Sequence, residues 1–362
     1  MTNKVDKSPR KILKKLSRID RQFKNNNILS FNNDYNFQKK SIVFLLPYQK
    51  MPAGGVIVSH HHSDTINSLF SGEFVSEVFY PENVTCTVDN FKHNSRFKRN
   101  NRLNKNRDFV ILPEMMAARY AKVLIENQVR FGIHVQNGYS IGLELSSDLA
   151  SFSDLKDVYL KSDIIIGNSE DTIQNILTVF PDVGEKIIRS YFVINKAKYQ
   201  EVNDKKNIIT YMPRKLSKHS QLVLLFLGDK LPEHWTIKAI DGVTEQEVYD
   251  IFYESKIFMS FSEFEGLAMP PAMAAMSGNY VIGYTGEANK EYFHLPCFEE
   301  IPCGDIKTFV QSLLASVARF DSGLVQIDHS SIEYLKDLFS QHRQQQFIQD
   351  LVRKVDQIMS EA

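Results

Sequence analysis

The stretch Lys256–Tyr284, KIFMSFSEFEGLAMPPAMAAMSGNYVIGY, decides the fold. Ile257 to Met259 are a short apolar run of strand type, and Ser260 to Leu267 read as a polar, glycine-containing loop. Pro270 and Pro271 suit the first turn of a helix, where a missing N–H costs little. Ala272 to Met276 are good helix formers, and Gly278 sits where a helix stop is expected. Tyr280, Val281 and Ile282 open another buried strand. Strand, loop, helix, strand is the unit of a parallel sheet, which binds ligands at the carboxyl ends of its strands. Free amides in the first turn of such a helix suit a phosphate. The carboxylate of Glu265, just before it, would repel a phosphate and is better placed to bond sugar hydroxyls.

The segment EFEGLAMPPAMAAMSG, Glu263–Gly278, resembles the donor loop of the large retaining family of GT-B glycosyltransferases. That family carries Glu-Gly-Phe-Gly-Leu-Pro, two further residues, a second Glu, then Ala-Met-Ala-x-Gly. Glu265, Gly266, Pro270, Ala274 and Gly278 match; Ala268 replaces the second glycine and Met273 replaces the second glutamate. The resemblance implies that Glu265 contacts the donor sugar, with Gly266, Leu267, Ala268 and Met269 around it. The ribose-binding role of the second glutamate does not carry over to Met273, although Met273 occupies its place. An ordinary strand–turn–helix without a ligand is the plain alternative.

Length and composition set the frame. A chain of 362 residues suits two ordinary domains. Lys+Arg and Asp+Glu are both 43, so no overall attraction to nucleic acid follows, and no nucleic-acid partner is expected. The three cysteines, Cys86, Cys297 and Cys303, have no CxxC spacing, which argues against a disulfide framework or a zinc site. That usage fits a reducing, cytoplasmic setting. No apolar run approaches the ~20 residues that span a bilayer.

Residues 1–40 read as a basic tail. Ile12, Leu13, Leu16, Ile19 and Phe23 recur at helical spacing among lysines and arginines, so residues 1–30 form either an amphipathic arm for an anionic membrane surface or a solvated arm. Asn25 to Asn27 and Asn32 to Asp34 read as linker. Residues 41–200 read as the first Rossmann-like domain, the acceptor side; 201–340 as the second, the nucleotide-sugar side; and 341–362 as a terminal helix. Ala53-Gly54-Gly55 follows the strand SIVFLLP and opens a helix; the resemblance matches Gly54 and Gly55 to a glycine-rich turn that lets substrate approach the backbone. His60, His61 and His62 are adjacent on that helix, so they point in different directions and cannot share one metal. Phe91 to Arg107 read as a basic solvated loop, with an acceptor- or membrane-facing loop as the sharper alternative. Gln136 and Asn137 leave the strand VRFGIHV at its carboxyl end, a natural cleft position, and His134 reads as a strand histidine with its bonds satisfied. Arg214 and Lys215 leave NIITYMP where the family places basic residues for the donor diphosphate, with Arg suited to a bidentate grip and Lys to a point charge. Thr244 and Glu247 form a capping box. Gly286, Asn289 and Glu291 fall near the site by the same resemblance.

Alternating strands and helices independently read as doubly wound α/β. The resemblance makes this a GT-B arrangement: two Rossmann-like domains facing a cleft, with a C-terminal helix returning to the first. It implies transfer, with retention, of a sugar from a nucleotide diphosphate sugar to a hydroxyl acceptor. A glycan or lipid-linked acceptor in surface polysaccharide synthesis follows from the family alone. Neither metal nor cofactor is expected, because basic residues replace the metal and no acidic DxD motif is evident. The location expected is cytoplasmic, peripheral on the membrane if residues 1–30 bind it. The alternative of another class is a non-catalytic sugar-nucleotide or glycan-binding subunit, which Met273 supports best; a GT-B epimerase is a third, without an acid/base constellation to carry it.

Overall fold

The computed structural model describes residues 29–48, 53–83, 91–145, 150–194, 197–325 and 327–361. The basic arm read in residues 1–30, with the linker read at Asn25 to Asn27, therefore lies, but for the arm's last two residues, outside the described residues.

Short buried runs form the strands, and two parallel sheets result. Among the described residues nine strands come from the first part of the chain: β1 (Ser30–Asn32), β2 (Lys40–Leu45), β3 (Phe74–Phe79), β4 (Arg96–Phe97), β5 (Arg102–Asn104), β6 (Asp108–Pro113), β7 (Phe131–Val135), β8 (Ile164–Gly167) and β9 (Ile187–Arg189). Seven of them make one sheet in the order β4-β3-β2-β6-β7-β8-β9, and β1 pairs with β5 in a small separate ribbon. Two readings change here. The supposed linker at Asn32 ends strand β1, and the basic segment 91–107 contributes β4 and β5 rather than remaining a loop. Apolar patterning missed both because each strand has three residues or fewer.

Alternation along β2 shows how this sheet is covered on both faces. Val43 and Leu45 join the core under the helix Ala117–Glu126, whereas Ile42 and Phe44 join the opposite core. Into that second core the last helix, Gln341–Ser360, inserts Phe347, Ile348, Leu351, Val352 and Val355. The helix thus leaves the second half of the chain and packs on the first sheet, as expected. Lys40 Nζ pins it 2.6 Å from Asp356 Oδ1.

The second sheet holds β10 (Lys206–Tyr211), β11 (Thr236–Ala239), β12 (Ser255–Glu265), β13 (Tyr280–Glu287) and β14 (Phe298–Glu300) in the order β11-β10-β12-β13-β14, all parallel. Here the deciding stretch departs from its reading: the segment read as a loop from Ser260 is strand as far as Glu265. Ser260 is tolerated inside because its hydroxyl donates to the carbonyl of Tyr284 at 2.8 Å. The ladder with β13 shifts between Ser262 and Glu265, and Phe264 there takes a left-handed φ of 46°. The helix Met269–Met276 follows, with Pro270 and Pro271 in its first turn and Gly278 at φ 86° ending it. The Thr244–Glu247 capping box is formed as read.

Candidate functional site

The carboxyl edges of the two sheets touch. Gly266, leaving β12, sits so close to the first domain that a Cβ there would lie 1.8 Å from the carbonyl oxygen of Gln136. Asn137 Nδ2 donates to the carbonyl of Phe264 at 2.9 Å, and the Tyr139 ring lies 5.0 Å from that of Phe264. Met269 reaches Gly54 at the start of the helix Gly54–Leu69. A Cβ on Gly55 would collide with Gln136 Oε1 at 1.8 Å, so glycine is what lets that side chain cross the turn. Further along this seam, Arg189 at the end of β9 pairs with Glu170 and also with Glu291 of the second half.

Glu265 closes β12 and forms an ion pair with Lys215, which follows β10. The sequence reading gave these two groups separate ligand partners, diphosphate and sugar; here they hold each other. Arg214 takes another direction: its side chain is 83% exposed and reaches Asp241 at 3.7 Å. Leu267 lies in the crevice between the halves beside Asn168 and Arg189. Ala268 is fixed from two sides, its N–H donating to Asn289 Oδ1 at 2.8 Å and its carbonyl accepting from Tyr292 at 2.9 Å. That bond corrects the phosphate argument for the following helix. Pro270 and Pro271 carry no N–H and Ala268 has spent its own, so few first-turn amides remain for an anion. Met273 is 8% exposed and packs in the core of the second sheet with Ala272, Ala274 and Met276. The structure therefore does not bring Met273 to the surface that holds Glu265 and Lys215.

On the first-domain side the site is built from half-buried amides resting on buried polar groups. Gln136 Nε2 donates to the carbonyl of Gly55 at 2.8 Å and to Ser59 Oγ at 3.0 Å. The backbone amides of Gln136 and Asn137 donate to the two oxygens of Glu114, each at 3.2 Å. Burial pushes the Glu114 carboxyl up to about 7, against the pull of those amides. Asn168 Nδ2 donates to the carbonyl of Gln136 at 2.7 Å. His134 is buried between Ser190 and Gln136, each at 3.3 Å, and burial lowers its pKa well below the usual value. It is the satisfied strand histidine that the sequence suggested. His60 bonds Tyr80 and Ser95, and His62 bonds the carbonyl of Tyr191, so neither faces the seam as a free ligand. Sequence reasoning missed Glu114, Arg189 and Phe264. Glu114 had a usable signal, an acid directly after the buried run FVILP at a strand's carboxyl end.

No protein-family model matches the sequence, and no curated protein matches it. Solved structures do match over nearly the whole length. Sucrose-phosphate synthase from Thermosynechococcus elongatus aligns with a TM-score of 0.62 at 10% identity, over 90% of this chain and 100% of that one. HepE from Anabaena in complex with UDP gives 0.58 at 10% identity, over 88% and 100%. The catalytic domain of starch synthase IV from Arabidopsis thaliana, bound to ADP and acarbose, gives 0.54 at 11% identity, over 90% and 100%. The chain has the GT-B fold. In GT-B terms the seam described above is the cleft between the two Rossmann-like halves, and Glu265, Lys215, Gln136 and Asn137 lie on its two walls. Identities this low extend no further than the fold.

Proposed function

We propose that the protein is a glycosyltransferase that moves a sugar from a nucleotide diphosphate sugar to a hydroxyl acceptor. The observation that carries this is the Glu265–Lys215 ion pair at the carboxyl edge of the second sheet, opposed by the first-domain turn of Gln136 and Asn137. An opposite pair of charges on a cleft wall suits a ligand with a diphosphate at one end and hydroxyls at the other. The chemistry asks for both. The bond from the anomeric carbon to the diphosphate breaks, the acceptor oxygen bonds to that carbon, and the acceptor proton ends on the departing diphosphate. Negative charge grows on the leaving group, where preorganised donors lower the barrier most. Lys215 supplies the positive charge that opposes it, with Arg214 adding a second, more distant cation. Glu265 holds the sugar hydroxyls and opposes the positive charge that develops at the anomeric carbon. Basic residues fill the role a metal would otherwise take.

HepE in complex with UDP, and with UDP-glucose, supports the same donor class here. Retention of configuration, a surface-polysaccharide acceptor and membrane attachment through residues 1–30 complete the reading. Among the described residues no helix is long and apolar enough to cross a membrane. A buried Met273 favours the second reading, a non-catalytic sugar-nucleotide-binding subunit, because it leaves the ribose without an acceptor at that position. Incubation of purified protein with a panel of sugar nucleotides, read by mass spectrometry, separates the two. Release of nucleoside diphosphate is expected, and Glu265→Gln should lower it by about 10²–10³-fold. Binding without any turnover would establish the subunit reading instead.

A further inference from the structure

Positive charge is gathered on one flank of the first domain. Phe91 to Arg107 hold seven lysines and arginines and no Asp or Glu, although the whole chain balances 43 against 43. β4 is the outermost strand of its sheet and runs parallel to β3. The N–H of Lys98, just past it, donates to the carbonyl of Val78 at 2.9 Å, toward the carboxyl rim. At the other end of the segment the carbonyl of Arg107 accepts from Ser41 at 2.8 Å, near the start of β2. The segment therefore passes along the flank from the carboxyl rim of the sheet, which faces the cleft, to the amino rim.

Nearby carboxylates leave much of this charge unanswered. Glu77 lies 4.0 Å from both Lys98 and Arg107, and Asp108 lies 3.7 Å from Arg107. Asp64 accepts from the N–H of Asn94 and the hydroxyl of Ser95, each at 2.7 Å. Lys92, Arg96 and Arg102 are exposed and enter no ion pair among the described residues. Arg99, also exposed, lays its guanidinium 4.7 Å from the centre of the half-buried Phe97 ring.

The small ribbon brings more positive charge to the same place. Ser30 in β1 pairs with Arg102 in β5, and its N–H donates to the carbonyl of Asn101 at 2.9 Å. The sequence before Ser30 carries nine further lysines and arginines between Lys4 and Lys24, so it joins the body at this flank. Its apolar positions Ile12, Leu13, Leu16, Ile19 and Phe23 recur at helical spacing, a pattern that suits a bilayer interface and not a nucleic acid.

We propose that this flank is the face by which the folded body lies on an anionic phospholipid surface. The proposal rests on the membrane attachment read for residues 1–30, and it adds which face of the body meets the lipid. A plane of phosphates against Lys92, Arg96, Arg99 and Arg102 also meets the carboxyl rim of the first sheet. The first-domain wall of the cleft then opens beside the headgroups, and a lipid-linked acceptor reaches that wall without leaving the bilayer.

Flotation with vesicles tests it on the full chain. The vesicles are phosphatidylcholine alone and phosphatidylcholine mixed with phosphatidylglycerol. The flank variant is Lys92→Ala, Arg96→Ala, Arg102→Ala, and the arm variant is Lys11→Ala, Lys14→Ala, Lys15→Ala. A control, Lys230→Ala, Lys238→Ala, Lys307→Ala, removes the same charge from exposed positions of the second domain. The natural protein should bind only the mixed vesicles and release them toward ~1 M salt. Each basic residue at such a surface is worth about fivefold, so the flank variant should bind at least tenfold more weakly at an unchanged melting temperature, with the control close to natural. A flank variant that binds like the natural protein, while the arm variant fails, overturns the flank and leaves the arm attachment standing. Equal losses in the flank and control variants, or equal binding to both kinds of vesicle, would also overturn it. Binding to neither vesicle sinks flank and arm together. Sugar transfer is tested apart from all of these, by the panel of sugar nucleotides.

Discussion

The two walls of the cleft are built on opposite plans. The first-domain wall meets the cleft mainly through amides that are already hydrogen-bonded: Gln136 donates to Gly55 and Ser59, Asn137 reaches across to Phe264, and the turn amides donate to a buried Glu114, while its charges, Glu170 and Arg189, pair with each other and with Glu291. Charge stands in the open on the second-domain wall, at Lys215, Arg214, Glu263, Glu287 and Glu300. Hydrogen-bonded groups anchored on a buried carboxylate fix geometry, whereas exposed charges are free to change partners when a ligand arrives. The first wall therefore aligns the reaction and the second binds the donor.

Putting charge where the second wall is closed is the harshest test of that contrast. Met273→Glu places a carboxylate in a position 8% exposed among apolar neighbours. Burying an unpaired charge costs several kcal/mol, so the variant should melt well below the natural protein or fail to accumulate, with no gain in nucleotide affinity. Calorimetry showing tenfold tighter binding of nucleoside diphosphate at unchanged melting temperature would mean that this side chain reaches the ribose after all.

Contact between the walls comes next. A methyl group at Gly266 would lie 1.8 Å from a backbone oxygen of the other domain, so Gly266→Ala must push the walls apart. Displacing reacting groups by ~1 Å costs about 10²-fold, and that loss is expected in kcat/KM. The melting temperature should change little, because opening the cleft relieves the clash without unpacking either core. Natural turnover in this variant would show that the seam is not kept during catalysis.

This division also explains what the sequence disclosed. The fold was legible because strand runs such as SIVFLLP and SDIIIG are short, apolar and regularly separated by helices. Glu265 and Lys215 were legible as residues at strand exits. Their direct pairing was not, since 50 positions separate them and only the β10–β12 register joins them. The loop read at Ser260–Leu267 failed for a related reason. Serine and glutamate suppress a strand reading locally, yet the neighbouring strand β13 supplies the ladder that overrides it. Met273 could be placed in the motif from sequence, but its burial depends on packing from elements far along the chain.

The first wall carries its own titration. Glu114 is pushed up to about 7 by burial, whereas its unfolded value is near 4.5. Between these values the folded state binds the extra proton, so this group's contribution to stability is present at low pH and lost as pH rises from about 4.5 to 7. Glu114→Gln removes the titration but turns an amide donor toward one of two donating N–H groups, at a cost of about 1–3 kcal/mol. Melting curves at pH 5 and pH 7.5 should therefore show a lower stability for the variant throughout and a shallower fall with pH. An unaltered pH slope would mean that Glu114 ionises normally.

The gentlest test separates the two cations of the second wall. Lys215 touches Glu265, while Arg214 is 83% exposed and stands 3.7 Å from a half-exposed Asp241. A charge so open to water acts through a screened field, and exposed pairs of this kind rarely exceed about a fivefold effect. Arg214→Ala should weaken nucleoside diphosphate binding by about two- to fivefold at low ionic strength. The Debye length is ~10 Å at 0.1 M salt and ~3 Å at 1 M, so the difference should fade as salt is raised. Lys215→Ala should weaken binding more and retain its deficit in salt, because it also leaves the Glu265 carboxylate facing the diphosphate without its partner. If Arg214→Ala proves the more damaging of the two, then Arg214 swings from Asp241 onto the ligand, and the second wall rearranges on binding further than its resting pairs suggest.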